Sequence, residues 1–313
     1  LDAAPPPVVK ANQTITFAQP ADVPFGTPPF ALTASSSSGL AVTLASRTTA
    51  VCTISAGTVT LKNAGTCTIR ASQSGSTAFN AAPVVDRSFT VTPLSATVSF
   101  TGLNATYTGK VITPKCVTDP AALKVAITYS DLGSGLGRID VGTYGVQCTV
   151  TAPGYVGAGD GTLSIAKASQ TISFSSIATK TAAAAPFALT VKASSGLPVT
   201  LVSQTPNVCT VADTTATLVG VGTCTITASQ GGNGNYLAAA DVTRSFAVKA
   251  ALTLTGLNQT WDGTQKSVGC TTVPAGLPTV ISYASLGSGT GRINAATYKA
   301  TCKLQDNTAS VTG

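Results

Sequence analysis

The stretch SIAKASQTISF, residues 164–174, and its near-repeat VVKANQTITF, residues 8–17, decide the fold. In both, apolar residues alternate with polar ones (Ile165, Ile172, Phe174; Val9, Ile15, Phe17), and neither Gly nor Pro interrupts the run. That is the period-two signature of half-buried strand. The stretch predicts a strand that closes one domain and runs directly into the strand opening the next.

Working outward, residues 13–91 align with residues 170–248 at a constant offset of 157: PFAL begins at Pro29 and Pro186, Cys52 and Cys67 answer Cys209 and Cys224, and RSF begins at Arg87 and Arg244. A different module lies between the copies, and its features return at an offset of 154: TGLN at Thr101 and Thr255, then Tyr107 and Trp261, Cys116 and Cys270, Gly137 and Gly291, Tyr144 and Tyr298, Cys148 and Cys302. The order is A-B-A-B. The expected domains are 12–92 (A1), 93–168 (B1), 169–249 (A2) and 250–313 (B2, lacking its final strand), with 1–11 as the last strand of a preceding B-type domain.

Comparing copies settles the helix question. TAAAAPFALT, residues 181–190, would pass alone for a short helix, but its counterpart PFGTPPFALT carries a Gly and paired prolines that no helix interior accepts. Module A reads as seven short strands in an immunoglobulin-like antiparallel sandwich, with residues 51–71 as a three-strand meander. Module B reads as six strands, and the whole chain as an all-β series of sandwiches arranged as a rod. With no Gly-Ser linker between modules, four of them at ~35–40 Å each are expected to span on the order of 150 Å. X-ray scattering checks this, since a compact ball of the same length would give a far smaller radius of gyration.

Hydrophobic residues make up 43% and charged ones 9%, so the chain can bury real cores and is not of the disordered class. The net charge of +7 comes from basic residues scattered singly, not from the stripe that nucleic acid requires. No apolar run approaches the ~20 residues of a membrane span, and neither a signal peptide nor an initiator Met opens the chain, as expected for a mature or excised piece.

Eight cysteines at regular spacing, with no His and no metal-type C-x-x-C, form a disulfide pattern and imply export. Four cysteines in each A-B pair allow three connectivities. The pairing Cys52–Cys67, Cys116–Cys148, Cys209–Cys224 and Cys270–Cys302 gives every module its own bridge and is preserved by both offsets. On the chain-entropy account, the shorter loops contribute about 3 kcal/mol each and the longer ones about 3.7.

With QTI-F, VCTV, GTCTITASQ, GNGNY and VTRSF, module A resembles the bacterial Ig-like repeats of large secreted and surface proteins. With LNATYTGK, GTYGVQCTVTAPGY and GTLSIAKA, module B resembles the MBG repeat of bacterial adhesins. The resemblance implies sandwich folds, a place outside the bacterial cell or on its surface, and stalk-like use.

Candidate chemistry is thin. The Gly-rich stretches 132–139 and 286–293 suggest a phosphate loop, but such a loop opens a helix and here strand follows, so a tight turn with Arg138 and Arg292 solvated or stacked on Tyr is expected. Asp131, Asp140 and Asp160 do not form a calcium-loop run, and the first two become Ser285 and Asn294 in the second copy. All eleven acids are Asp, and with neither His nor Glu a Ser or Thr nucleophile lacks its usual base. No enzymatic activity, cofactor or metal is expected. Tyr107 and Trp261 are expected in the core or plugging a domain edge, not forming a sugar platform.

The reading is a structural repeat of an extracellular filament or adhesin stalk. Its partner is itself, head to tail, with the strand Pro7, Val8, Val9 and Lys10 of one unit completing the last domain of the preceding unit. The alternative is a module that binds glycans of a host or neighbouring cell.

Overall fold

The computed structural model describes residues 9–130, 133–134, 137–284, 287–288, 296–306 and 309–312. Every regular element among them is a strand. The chain divides into two compact units, 1–166 and 167–313, each holding one A and one B module.

In A1 one sheet runs in the order Val23–Pro24, Val85–Thr92, Gly65–Ser72, Thr43–Ser46, facing a second of Phe30–Ala31, Thr58–Leu61 and Cys52–Ser55, with Ile15–Phe17 paired to Ala34–Ser36 beside them. A2 repeats this: Val242–Lys249, Gly222–Ser229 and Thr200–Ser203 sit in one sheet, and Phe187–Ala188, Thr215–Leu218 and Cys209–Ala212 in the other. Alternation along Gly65–Ser72 places Cys67, Ile69 and Ala71 inward, where they meet Val59, Phe89 and Val91.

Two expectations are corrected here. Residues 51–71 are not a three-strand meander: Cys52–Ser55 pairs with Thr58–Leu61, but Gly65–Ser72 pairs in the opposite sheet with Thr43–Ser46 and Val85–Thr92. The turn between them, where the N–H groups of Lys62 and Asn63 both donate to Val51 O and Gly65 takes φ +131°, carries the chain across the sandwich. FALTASS, residues 30–36, counted as a single one of the seven expected strands, is likewise two, because Phe30–Ala31 joins one partner and Ala34–Ser36 another.

A buried amide clasp explains the recurring QTI motif. Gln13, only 3% exposed, donates through Nε2 to Gln73 Oε1 (2.5 Å) and Asn80 O (2.7 Å), and accepts from Ser38 Oγ at 2.5 Å. Gln170 makes the same bonds with Gln230, Leu237 O and Ser195. Gln13→Ala strips buried groups of their partners and is expected to destabilise A1 by about 2–3 kcal/mol, measured by denaturant unfolding.

In B1, Thr97–Thr101 pairs with Lys115–Asp119, and a five-stranded sheet runs Asn104–Thr106, Ala158–Ala166, Gly142–Val150, Val125–Tyr129, Gly133–Ser134. In B2, Ala251–Thr255 pairs with Gly269–Val273, beside Gly287–Ser288, Thr279–Tyr283, Ala300–Leu304 and Ser310–Thr312. Each module carries one disulfide, and in each it ties two different sheets: Cys52–Cys67 and Cys209–Cys224 with Cα atoms 5.7 Å apart, Cys116–Cys148 and Cys270–Cys302 with 6.3 Å.

Candidate functional site

The two B modules differ where B1 places its last strand. There, Ala158–Ala166 lies between Gly142–Val150, antiparallel with Tyr144 opposite Leu163, and Asn104–Thr106, parallel with Ala105 opposite Ile165. Ser164 donates to Leu103 O (2.7 Å), and Ala166 O accepts from Tyr107 N (2.9 Å). Leu163 is wholly buried and Ile165 is 2% exposed, packed with Tyr129 and Val146 and flanked by Leu103, Tyr107 and Tyr144.

In B2 the described strand Ser310–Thr312 reaches only the position of Asp160, since Cys302 pairs with Val311 as Cys148 pairs with Gly159. The slot that Leu163 and Ile165 fill in B1 is in B2 a groove of about 550 Å³, lined by Leu257, Trp261, Tyr283, Tyr298 and Ala300. These correspond by the offset of 154 to Leu103, Tyr107, Tyr129, Tyr144 and Val146. Leu257 is 53% and Trp261 55% exposed, whereas Leu103 and Tyr107 are half-buried. Trp261 was expected in a core or an edge plug; at 55% exposed it stands on the groove rim instead. The offset alone would have pointed to this lining, had it been traced from Leu163 to its neighbours.

The rim loop is held by charge-assisted bonds. Asp262 accepts from Lys266 Nζ (2.6 Å) and from Thr264 N (3.0 Å) and Oγ1 (2.5 Å), and these, Lys266 first, hold its carboxyl below the usual range. The contribution is present above the ordinary carboxylate pKa and is lost as pH falls through the lowered value.

The segment expected to fill such a slot is described only in part. Pro7 and Val8 lie outside the described residues; Val9 is 92% exposed and Lys10 is exposed. Both A modules are nonetheless entered identically: Ala11 bridges Phe79 and Ala168 bridges Tyr236, parallel in each case. The residues before Ala168 are the last strand of B1, so Pro7, Val8, Val9 and Lys10 stand in sequence where Ser164, Ile165, Ala166 and Lys167 stand.

Of the other candidates, Arg138 is not solvated. It is 6% exposed, its guanidinium 4.4 Å from the Tyr129 ring centre and 5.2 Å from that of Tyr144, with its backbone paired to Ile112, so it is a core cation stacked on aromatics. Asp131 and Arg292 lie outside the described residues, Asp140 O accepts from Tyr144 Oη (2.9 Å), and Asp160 Oδ1 accepts from Gln147 Nε2 (2.9 Å). Among the described residues no cluster of acids and cysteines is arranged to hold a metal. Among the described residues no helix is long and apolar enough to cross a membrane.

Residues 96–169 and 250–313 match the MBG domain family. A search of curated proteins returns no match. Among solved structures, domains 1–6 of the surface layer protein SbsC align over 87% of this chain and 49% of theirs, at 14% identity and TM-score 0.25. The Drosophila N-cadherin EC1-4 structure aligns over 94% and 96% (10% identity, TM-score 0.22), and Sidekick-1 immunoglobulin domains 1–4 over 96% and 97% (10% identity, TM-score 0.24). The chain spans about half the length of the surface-layer structures it matches. The B modules thus match the MBG domain family, the A modules are two-sheet β-sandwiches, and the two types, with a disulfide in every module, fit a surface or extracellular repeat protein.

Proposed function

We propose that these alternating Ig-like and MBG modules are a structural, non-enzymatic repeat of a bacterial extracellular filament or adhesin stalk. Successive units join head to tail through strand complementation. The observation that carries this reading is the groove of B2, whose lining is the same set of positions that grips Leu163 and Ile165 in B1. Its occupant is residues 7–10 of the next unit, with Val8 in the place of Ile165. An exposed apolar slot beside a sheet edge is a feature that extracellular β-proteins cover or pair. The same filling serves covalently continuous units and separate subunits, which the mass of the native polypeptide distinguishes.

Trp261 is the only tryptophan in the chain and lines the groove, so its emission reports occupancy alone. Titrating the chain with a peptide of residues 1–11, or with GTLSIAKA from residues 161–168, is expected to shift that emission to the blue and to saturate. Val8→Asp in the peptide should abolish the effect. Pro7→Ser should tighten binding about 2–10-fold, because a proline cannot make the bond that Ser164 N gives to Leu103 O. Emission that ignores both peptides up to millimolar concentration refutes strand complementation.

The second reading, glycan recognition, draws on the exposed Trp261 beside Tyr298 in the same groove. Oligosaccharides that shift the emission where the peptides do not would favour it.

A further inference from the structure

We propose that the two A-B joints are mechanically different: the A1-B1 joint is stapled rigid, and the A2-B2 joint is compliant. Four differences between the copies converge on Gly154. The first is the linker. Val91 matches Val248 and Thr97 matches Ala251, so the first linker is three residues longer, and the extra residues make the strand Leu94–Ser95. It pairs in parallel with Tyr155–Val156, and the Leu94 N–H donates to Gly154 O (2.9 Å).

The second place is the loop that supplies this partner. It is two residues longer in B1, where Val150 N reaches Gly157 O, than in B2, where Leu304 N reaches Ala309 O. The third is Phe25, whose ring meets Tyr155 edge-on at 6.0 Å and lies so close to Gly154 that a Cβ there would come within 2.1 Å of it. The fourth is Asn63, whose Oδ1 accepts from the Gly154 N–H at 2.6 Å. Linker, loop, ring and amide thus form one staple.

Among its described residues, the second joint keeps one backbone bond of this arrangement and has neither the ring nor the amide. Ala182 replaces Phe25, donating to Lys249 O at 2.8 Å as Phe25 donates to Thr92 O at 2.8 Å, and Gly220 replaces Asn63. Only Ala250 separates the strands Val242–Lys249 and Ala251–Thr255. Beside them lies an open cleft of about 710 Å³, with Val248, Ala250, Leu277, Pro278 and Leu304 on its apolar side. Relative motion is the default for neighbouring domains unless a large packed interface opposes it, and a joint without the ring, the amide and the added strand has less to oppose it.

Residual dipolar couplings on the full chain test the difference. Amides of A1 and B1 are expected to fit one alignment tensor, whereas those of A2 and B2 need two. Phe25→Ala should make A1 and B1 separate as A2 and B2 do, with the amide shifts of the A1 strands reporting that the module stays folded. Ala182→Phe, which restores the ring that the first joint carries at Phe25, should bring the A2 and B2 tensors together. Two joints with equally shared tensors, or a first joint looser than the second, would overturn the proposal whatever the variants do.

Discussion

Leu163→Asp is expected to open or unfold the B1 module, a loss of more than about 4 kcal/mol, while the A1 sandwich keeps its exchange protection. Leu163 is wholly buried in the middle of the last strand, against Tyr129 and Val146. Truncating such a side chain to alanine already costs about 2–5 kcal/mol in transfer and cavity terms, and an unpaired buried carboxylate adds several more. Small domains hold only about 5–15 kcal/mol in total, so this one substitution consumes most of what B1 has. Hydrogen exchange resolved by residue is the measurement. Wild-type protection across residues 142–150 in the variant would show that the strand slot is not part of the B-type core, and the role assigned to the matching groove in B2 would fall with it.

Strand positions were legible in the sequence wherever one face is buried and the other solvated, as along Gly65–Ser72 and Gly142–Val150, because the alternation is then unbroken. What alternation does not encode is the sheet a strand joins. Thr58–Leu61 and Gly65–Ser72 are neighbours in sequence with matching inward faces, yet they belong to opposite layers; the short turn at Asn63 and Gly65 passes from one sheet to the other rather than reversing within one. The very short strands were missed for a related reason. Val23–Pro24 and Leu94–Ser95 are two residues each, too short for any period, and both pair in parallel with distant partners, Val91–Thr92 and Tyr155–Val156.

The groove was only half legible. Trp261 and Tyr107 were both expected in a core or plugging a domain edge, yet Trp261 is 55% exposed on the groove rim while Tyr107 is half-buried against the B1 core. A residue's surroundings in one repeat do not transfer to the next when a neighbouring strand differs. The joint carries the same lesson. Phe25 and Ala182, or Asn63 and Gly220, look like ordinary drift between copies until the structure puts Phe25, Asn63, Leu94 and Tyr155 around Gly154.

Replacing Cys209 and Cys224 together by alanine is expected to lower the stability of A2 by about 3 kcal/mol or more and to leave B1 unchanged. The bridge closes a loop of 15 residues, for which the chain-entropy account gives about 3 kcal/mol, and both cysteines are fully buried, so lost sulfur packing adds to it. The bridge also joins the two facing sheets of the sandwich, which no backbone ladder does, so its loss falls on the packing between layers. Serine in place of alanine sharpens the test, because the two ends differ. Near Cys209, Ser203 Oγ lies 3.4 Å and Thr205 Oγ1 3.8 Å from Sγ, close enough for a serine hydroxyl to find a partner after a small shift. At Cys224 the surroundings are the apolar cluster of Ile226, Phe246 and Val248, where a hydroxyl costs about 1–3 kcal/mol if left unpaired. Cys209→Ser/Cys224→Ala should therefore unfold at a higher denaturant concentration than Cys209→Ala/Cys224→Ser, and in both the B1 transition should stay where it was, since B1 has its own core and its own bridge. Equal midpoints for the two variants, or a shift in the B1 transition, would contradict this account of how each module is held.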